Sequence, residues 1–226
     1  DAEGNPTGWL VEGAAIDPVT EALGVISEDA LALAAPDFFK DMSAVGLTAA
    51  FDAGMIDTRE LGRRLALKMV EAGEFPVRMV ASLYVNQPEQ LTDALATLEA
   101  LNARYHHPMF NVSTLKLSLD GTVEAKTAVM LEPYIQPEGH EAKPLLPNPV
   151  MFDAVAAAHA ANVDLHLHAI GDGAVRSALD AIERAKGLHP DSDTRTTICH
   201  IEIVHADDVS RFAELGAVAQ TTPTWF

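Results

Sequence analysis

Two histidines on one short strand are the residues of this chain best placed to do chemistry. Leu165-His166-Leu167-His168-Ala169 is an apolar run with an imidazole at every second place, and Ile170-Gly171-Asp172 leads from it directly into a helical pattern. Successive strand side chains alternate faces, so His166 and His168 share one. His168 stands at the C-terminal end, where α/β enzymes gather their reactive groups. Thr196-Thr197-Ile198-Cys199-His200 repeats the arrangement, with His200 lying 32 residues beyond His168. Lys116, in Thr114-Leu115-Lys116-Leu117-Ser118-Leu119-Asp120-Gly121, breaks a third apolar run at a point where an unpaired charge is costly. A lone strand histidine is more often a hydrogen-bonded core residue than a ligand. Three polar interruptions at three strand ends shift that balance toward a metal site, because neutral imidazole suits zinc and kindred divalent ions.

The elements that must position these residues alternate strictly. Residues 46–52 read as a strand and 59–72 as a helix with Leu61, Leu65 and Met69 at helical spacing. A strand over 75–85 and a helix opening at Pro88 and running to about 103 follow, and then the strand that carries Lys116. The stretch 133–149 holds Pro133, Pro137, Pro144, Pro147 and Pro149 and is expected to be a long irregular loop. Beyond it come a helix over 148–161, a strand over 163–169, a helix over 173–186, a strand over 196–204, a helix over 207–215 and a last strand over 217–221. Six β units alternating with helices imply parallel strands joined by right-handed crossovers, either an open doubly wound sheet or a (β/α)₈ barrel. An open nucleotide-binding sheet needs a glycine-rich turn after its first strand, and neither G-x-G-x-x-G nor a P-loop occurs. A G-x-S-x-G nucleophile elbow is also absent, so the barrel with a metal at its mouth is the reading that remains. Residues 1–26, including Gly8-Trp9-Leu10-Val11-Glu12, do not fit the alternation and read as the tail of an inserted or accessory element; residues 27–226 read as the barrel portion.

Composition narrows the partners. A formal net charge of −18 over 226 residues argues against a phosphate-binding surface, and so against nucleic acid. No apolar run reaches the length of a membrane span. The single cysteine, Cys199, excludes an internal disulfide framework and fits a reducing, cytoplasmic compartment. The expected partner is a small-molecule substrate, with homo-oligomerisation left open.

Three blocks resemble the amidohydrolase superfamily, most closely amidohydrolase family 3, whose members include N-substituted formamide deformylases. They are Lys116-Leu117-Ser118-Leu119-Asp120-Gly121-Thr122, His168-Ala169-Ile170-Gly171-Asp172-Gly173-Ala174-Val175, and Val204-His205-Ala206-Asp207-Asp208 running on to Gly216. Gly4-Asn5-Pro6-Thr7-Gly8 and Gly46-Leu47-Thr48 match as well. The resemblance implies a distorted (β/α)₈ TIM barrel with one or two divalent metals, typically zinc, at its C-terminal mouth. It implies that Lys116 is the strand-four lysine, often carbamylated in the family, that His168 is the strand-five ligand and that His200 is the strand-six ligand. The strands here are then two to seven. The family's strand-one H-x-H and strand-eight aspartate have no counterpart in the chain, and Cys199 stands where the family commonly has a glutamate.

The reaction so implied is hydrolysis of a non-peptide C–N bond, in an amide or N-substituted formamide, by metal-activated water. A carbamate on Lys116 would bridge two cations about 3.5–4 Å apart. Asp172, at a helix N-terminus beside His168, is a candidate for orienting a ligand, with helix capping as its structural role. Asp120 before Gly121 reads first as a turn residue. The alternative from another class is a catalytically inactive partial barrel, stable through association or serving as a binding module. Two further expectations follow: Thr48, Lys116, His168 and His200 lie near one end of the sheet, and Lys116 without metal is a free amine beside an acid.

Overall fold

The computed structural model describes residues 5, 7–8, 10, 12–24, 26–54, 59–136 and 139–223. Gly4, Pro6, Trp9, Val11 and Pro137, all used in the sequence reading, lie outside the described residues.

Helices α1 (Glu12–Leu23) and α2 (Glu28–Ala44) precede the alternating part. Ser27 caps α2 by accepting from the Ala30 amide, and Glu28 and Asp29 complement the positive end of the helix dipole. Helix α2 lies where the alternation assigns no element. The rest runs β1 (Ala49–Asp52), α3 (Arg59–Glu71), β2 (Arg78–Val85), α4 (Ala94–Arg104), β3 (Phe110–Ser118), α5 (Asn148–Ala160), β4 (Asp164–Ala169), α6 (Asp172–Leu188), β5 (Thr196–His200), α7 (Val209–Leu215) and β6 (Val218–Thr221). The six strands form one parallel sheet in sequence order. That order, with a helix in every crossover, makes a six-stranded sector of a (β/α)₈ barrel rather than an open sheet whose order reverses.

The register sorts side chains by face. Leu115 is level with Leu165, and Leu117 with Leu167 and Ile198. All five are buried and share one core with Val155, Ala178, Leu179 and Ile182 of α5 and α6. Burying each such leucine or isoleucine contributes about 1.5–3 kcal/mol, which fixes which face of each strand meets the helices. The intervening residues, Lys116 level with His166 and His168 level with Cys199, therefore fall on the inner face.

Several boundaries differ from the sequence expectation. Phe75 and Val77 are buried but precede β2; their apolar signal reported burial, not ladder pairing. Pro88 opens a single 3₁₀ turn, Pro88–Leu91, because the Gln90 side chain accepts from the amides of Asn86 and Gln87 and closes it tightly; α4 begins only at Ala94. Strand β5 stops at His200 rather than 204, since His200 and Ile201 take φ of +75° and +54° and leave the extended conformation. Thr48 immediately precedes β1, where its carbonyl accepts from the Arg78 amide, so it lies at the N-terminal end of the sheet and not with the histidines.

Candidate metal centre

His168 is the penultimate residue of β4 and His200 the last of β5. Register pairs Ala169, not His168, with His200, so an undisturbed strand would send the two imidazoles to opposite faces. The left-handed backbone at His200 turns its ring across: the two centroids lie 4.5 Å apart, edge to face. A non-glycine residue at positive φ costs on the order of 1–3 kcal/mol, and Ile201, β-branched, adds a second such residue. The chain thus spends conformational energy at the point that brings the two rings together.

Lys116 reaches the same inner face from β3. Lys116 is buried, 3 % exposed, and its Nζ lies 2.9 Å from Cys199 Sγ. The expectation that an acid accompanies this amine is corrected here, because the register places Cys199 on the inner face and within reach. Burial lowers the Lys116 pKa against the smaller opposing influence of Cys199, and raises that of the Cys199 thiol, so the pair tends toward neutral amine and thiol.

Burial dominates the histidines as well. His168 is lowered to about 3 by burial, then by His200 and Lys116; His200 is lowered to about 4 by burial and Lys116. Both are neutral at pH 7, the state in which imidazole offers a lone pair to a metal. His166, one turn of the pleat deeper, is level with Lys116 and Thr197. Its Nε2 meets Gln220 Oε1 at 2.9 Å, its ring packs on Phe51 at 4.8 Å, and its buried Nδ1 has no hydrogen-bond partner among the described residues. Below it a cavity of about 580 Å³, lined by Phe51, Ser113, Thr197 and Gln220 among others, opens along the concave face.

Asp172, the first residue of α6, accepts through Oδ1 from the Leu131 amide at 2.9 Å, so its carboxylate tethers the loop after β3. Gly173 and Ala174 donate to the Val129 carbonyl, pinning the same loop, and a Cβ on Gly171 would stand 2.1 Å from that oxygen. Here glycine is required by close approach. Asp120, read from sequence as a turn residue, is instead fully buried against the site: its carboxylate accepts from the amides of Ile170, Gly171 and Val129, and Oδ1 lies 3.5 Å from His168 Nε2. Burial pushes its pKa up to about 6 although the three amides pull it down. The signal that pointed to it was an acid four residues beyond Lys116 at the same strand end, which a turn explains equally well.

Two neutral imidazoles and a buried amine on neighbouring strands fit part of a divalent metal's donor set. Among the described residues no group of three or more His, Cys, Asp or Glu side chains is arranged around a common point for a metal.

A parallel barrel sector with histidines at the C-terminal strand ends is the architecture of the metal-dependent hydrolase fold. Residues 1–225 match the model of the amidohydrolase family, and the chain belongs to that family. It is 30 % identical over its whole length to the exoenzymes regulatory protein AepA of Pectobacterium carotovorum subsp. carotovorum, covering 47 % of that protein. It is 24 % identical to the putative amidohydrolase YtcJ of Bacillus subtilis, covering 99 % of this chain and 40 % of the relative. The chain thus spans less than half the length of these relatives. Among solved structures, uncharacterized metal-dependent hydrolases from Pyrococcus horikoshii OT3 and Pyrococcus furiosus superpose with TM-scores of 0.72 at 18 % and 21 % identity. These matches cover 98 % and 99 % of this chain and 44 % and 46 % of theirs, and at that identity they show the fold.

Proposed function

We propose that this chain carries half of the metal centre of a hydrolase acting on non-peptide C–N bonds, of the amide or N-substituted formamide class. The observation that carries the reading is the strained turn of His200 onto His168. A core histidine gains nothing from left-handed backbone, whereas a ligand pair must converge. Membership of the amidohydrolase family supports the reaction class.

In this reading His168 and His200 hold a divalent ion, zinc by the chemistry of its donors, and Lys116 supplies a third ligand once carbamylated. Such an ion supplies Lewis acidity, lowering the pKa of water and polarising a carbonyl oxygen. The chain's own residues do the rest. Burial keeps both imidazoles unprotonated and lowers the Lys116 pKa, which favours the neutral amine, the form that can take up carbon dioxide. Asp172 contributes by fixing the loop beside His168.

Two imidazoles and an amine are fewer donors than the four of a closed zinc site. The 226-residue chain by itself is therefore proposed to be catalytically inactive, its small-molecule substrate being turned over by a longer protein or by an assembly of copies. A cytoplasmic setting and the absence of a nucleic-acid partner remain part of the proposal, supported by the unpaired Cys199 and the charge of −18. Among the described residues, no helix is long and apolar enough to cross a membrane. The test is metal analysis of the full-length protein with His168→Ala or His200→Ala: metal and amide hydrolysis should disappear together with the fold intact. Full metal content in both variants would overturn the assignment.

A further inference from the structure

We propose that Lys116 and Cys199 form a modification site, at which a peroxide joins Nζ to Sγ through a reversible nitrogen–sulfur bond. The bond itself needs no metal; only its consequence, withdrawal of the Lys116 nitrogen from a metal, rests on the function proposed above.

Strand register builds the pair. Lys116 is level with His166 and, across β4, with Thr197, while Cys199 is the next inner-face residue of β5. Strands β3 and β5 stand about 9–10 Å apart with β4 between them, a gap that the flexible four-carbon stem of a lysine crosses while leaning one step along the sheet. The stem ends with Nζ 2.9 Å from Sγ, inside the separation of about 3–3.5 Å at which two reacting atoms are set for attack. Both residues are buried, and among the described residues Lys116 has no other hydrogen-bond or ion-pair partner. A thiol is a weak acceptor, so the contact offsets little of the cost of burying an amine.

The chemistry balances with one molecule of hydrogen peroxide. Nζ takes the Sγ proton along their contact, and the thiolate attacks one peroxide oxygen, breaking the O–O bond. Cys199 becomes a sulfenic acid, Sγ–OH, and the hydroxide released takes a proton back from Nζ to become water. The Nζ lone pair then attacks Sγ: an N–S bond forms, the S–O bond breaks, and the departing hydroxide takes a proton from Nζ to become a second water. Sulfur is oxidised by two electrons and peroxide is reduced by two. Sulfenic acids condense in this manner with a thiol or a backbone nitrogen. This chain has no second cysteine, and the amine held against the sulfur is Nζ. A dithiol reverses the bond, returning the amine and thiol and leaving as its own disulfide. While bridged, Nζ can neither take up carbon dioxide nor serve a metal, so peroxide closes the site and a thiol reductant reopens it.

The experiment exposes the metal-free 226-residue chain to hydrogen peroxide, followed by acid quenching, digestion and mass spectrometry. Each chain should lose its thiol and regain it with dithiothreitol, and the peptide carrying Lys116 should appear joined to the one carrying Cys199, lighter by two hydrogen atoms than the separate pair. In Lys116→Met no amine faces the sulfur, and Cys199 should run on to sulfinic acid, which dithiothreitol does not restore. If that variant does not fold, Lys116→Arg, whose guanidinium is no nucleophile, is measured in its place. A folded wild type whose Cys199 stays a free thiol, or passes to sulfinic acid with no bridged peptide, overturns the proposal. Zinc affinity, measured in bicarbonate, should fall on bridging and return with dithiothreitol. A bridged chain that binds zinc as the reduced one does removes Lys116 from the metal reading and leaves the bridge standing.

Discussion

The imidazoles of His168 and His200 meet edge to face at 4.5 Å, although the pairing of Ala169 with His200 would set them on opposite sides of the sheet. Positive φ at His200 reconciles the two facts, and what it creates is a pair of unprotonated nitrogen donors at the end of the strands.

That pair sets the metal chemistry of the isolated chain. Zinc titrated into it, followed by calorimetry, should bind weakly, with affinity lowered further in His168→Ala or His200→Ala, and neither a formamide nor an acylated amine should be turned over. Tight stoichiometric zinc, or measurable turnover, would show that the chain carries a complete site.

Lys116 should be a stability cost that function retains. Replacing this buried amine with a similar apolar volume, Lys116→Met, removes its desolvation penalty and loses only a weak contact to Cys199. The expected gain is about 1 kcal/mol in chemical denaturation. Destabilisation of that size or larger would mean that the Lys116–Cys199 pair holds the core together.

One helix offers a contrast between close approach and open space. Gly171→Ala, at the N-cap of α6, drives a Cβ to within 2.1 Å of the Val129 carbonyl and should cost about 3 kcal/mol, the upper end for overpacking. Gly187→Ala, near the end of the same helix, meets nothing within 4 Å and should stabilise by about 0.5–1 kcal/mol. Thermal unfolding of the two variants gives both signs in one experiment.

Acid should unfold the metal-free chain earlier than its carboxylates alone would require. His166 and His200 are lowered to about 4, His168 to about 3, and buried His159 is also lowered, chiefly by burial in every case. A depressed histidine binds its proton in the unfolded chain first, so the stability it allows is present above about pH 6.5 and is lost as pH falls toward 4. Asp120 acts with opposite sign: its raised pKa favours folding at low pH and the benefit fades as pH rises through about 6. Burial raises Glu202 as well, so four groups stand against two, and the net is a fall in unfolding free energy between pH 6.5 and 4. A flat profile over that window in urea melts would contradict the burial of these rings.

Much of this molecule was legible in one dimension. The alternation of apolar runs with helical periodicity, and the absence of a phosphate-binding turn, were enough for six parallel strands in sequence order, because right-handed crossovers leave few other arrangements. Period-two placement of His166 and His168 and the interruption at Lys116 already marked one face. Boundaries were less secure. Phe75 and Val77 carry the composition of a strand without its hydrogen bonds, and the β5 run reads as extended through 204 because nothing in Cys199-His200-Ile201 announces a left-handed turn.

Long-range contact decided the rest. Asp120 reads locally as a turn residue and Asp172 as a helix start; only folding brings amides from residues 129, 170 and 171 around the first carboxylate and the Leu131 amide onto the second. Lys116 finds Cys199, 83 positions away, through strand register, a quantity set by the whole sheet. The sequence by itself determined the order of elements and which side chains share a strand face, since these follow from local periodicity and chain connectivity. Tertiary structure alone decided which polar groups meet and in what protonation state, because burial and partner distance arise only when separate strands are packed side by side.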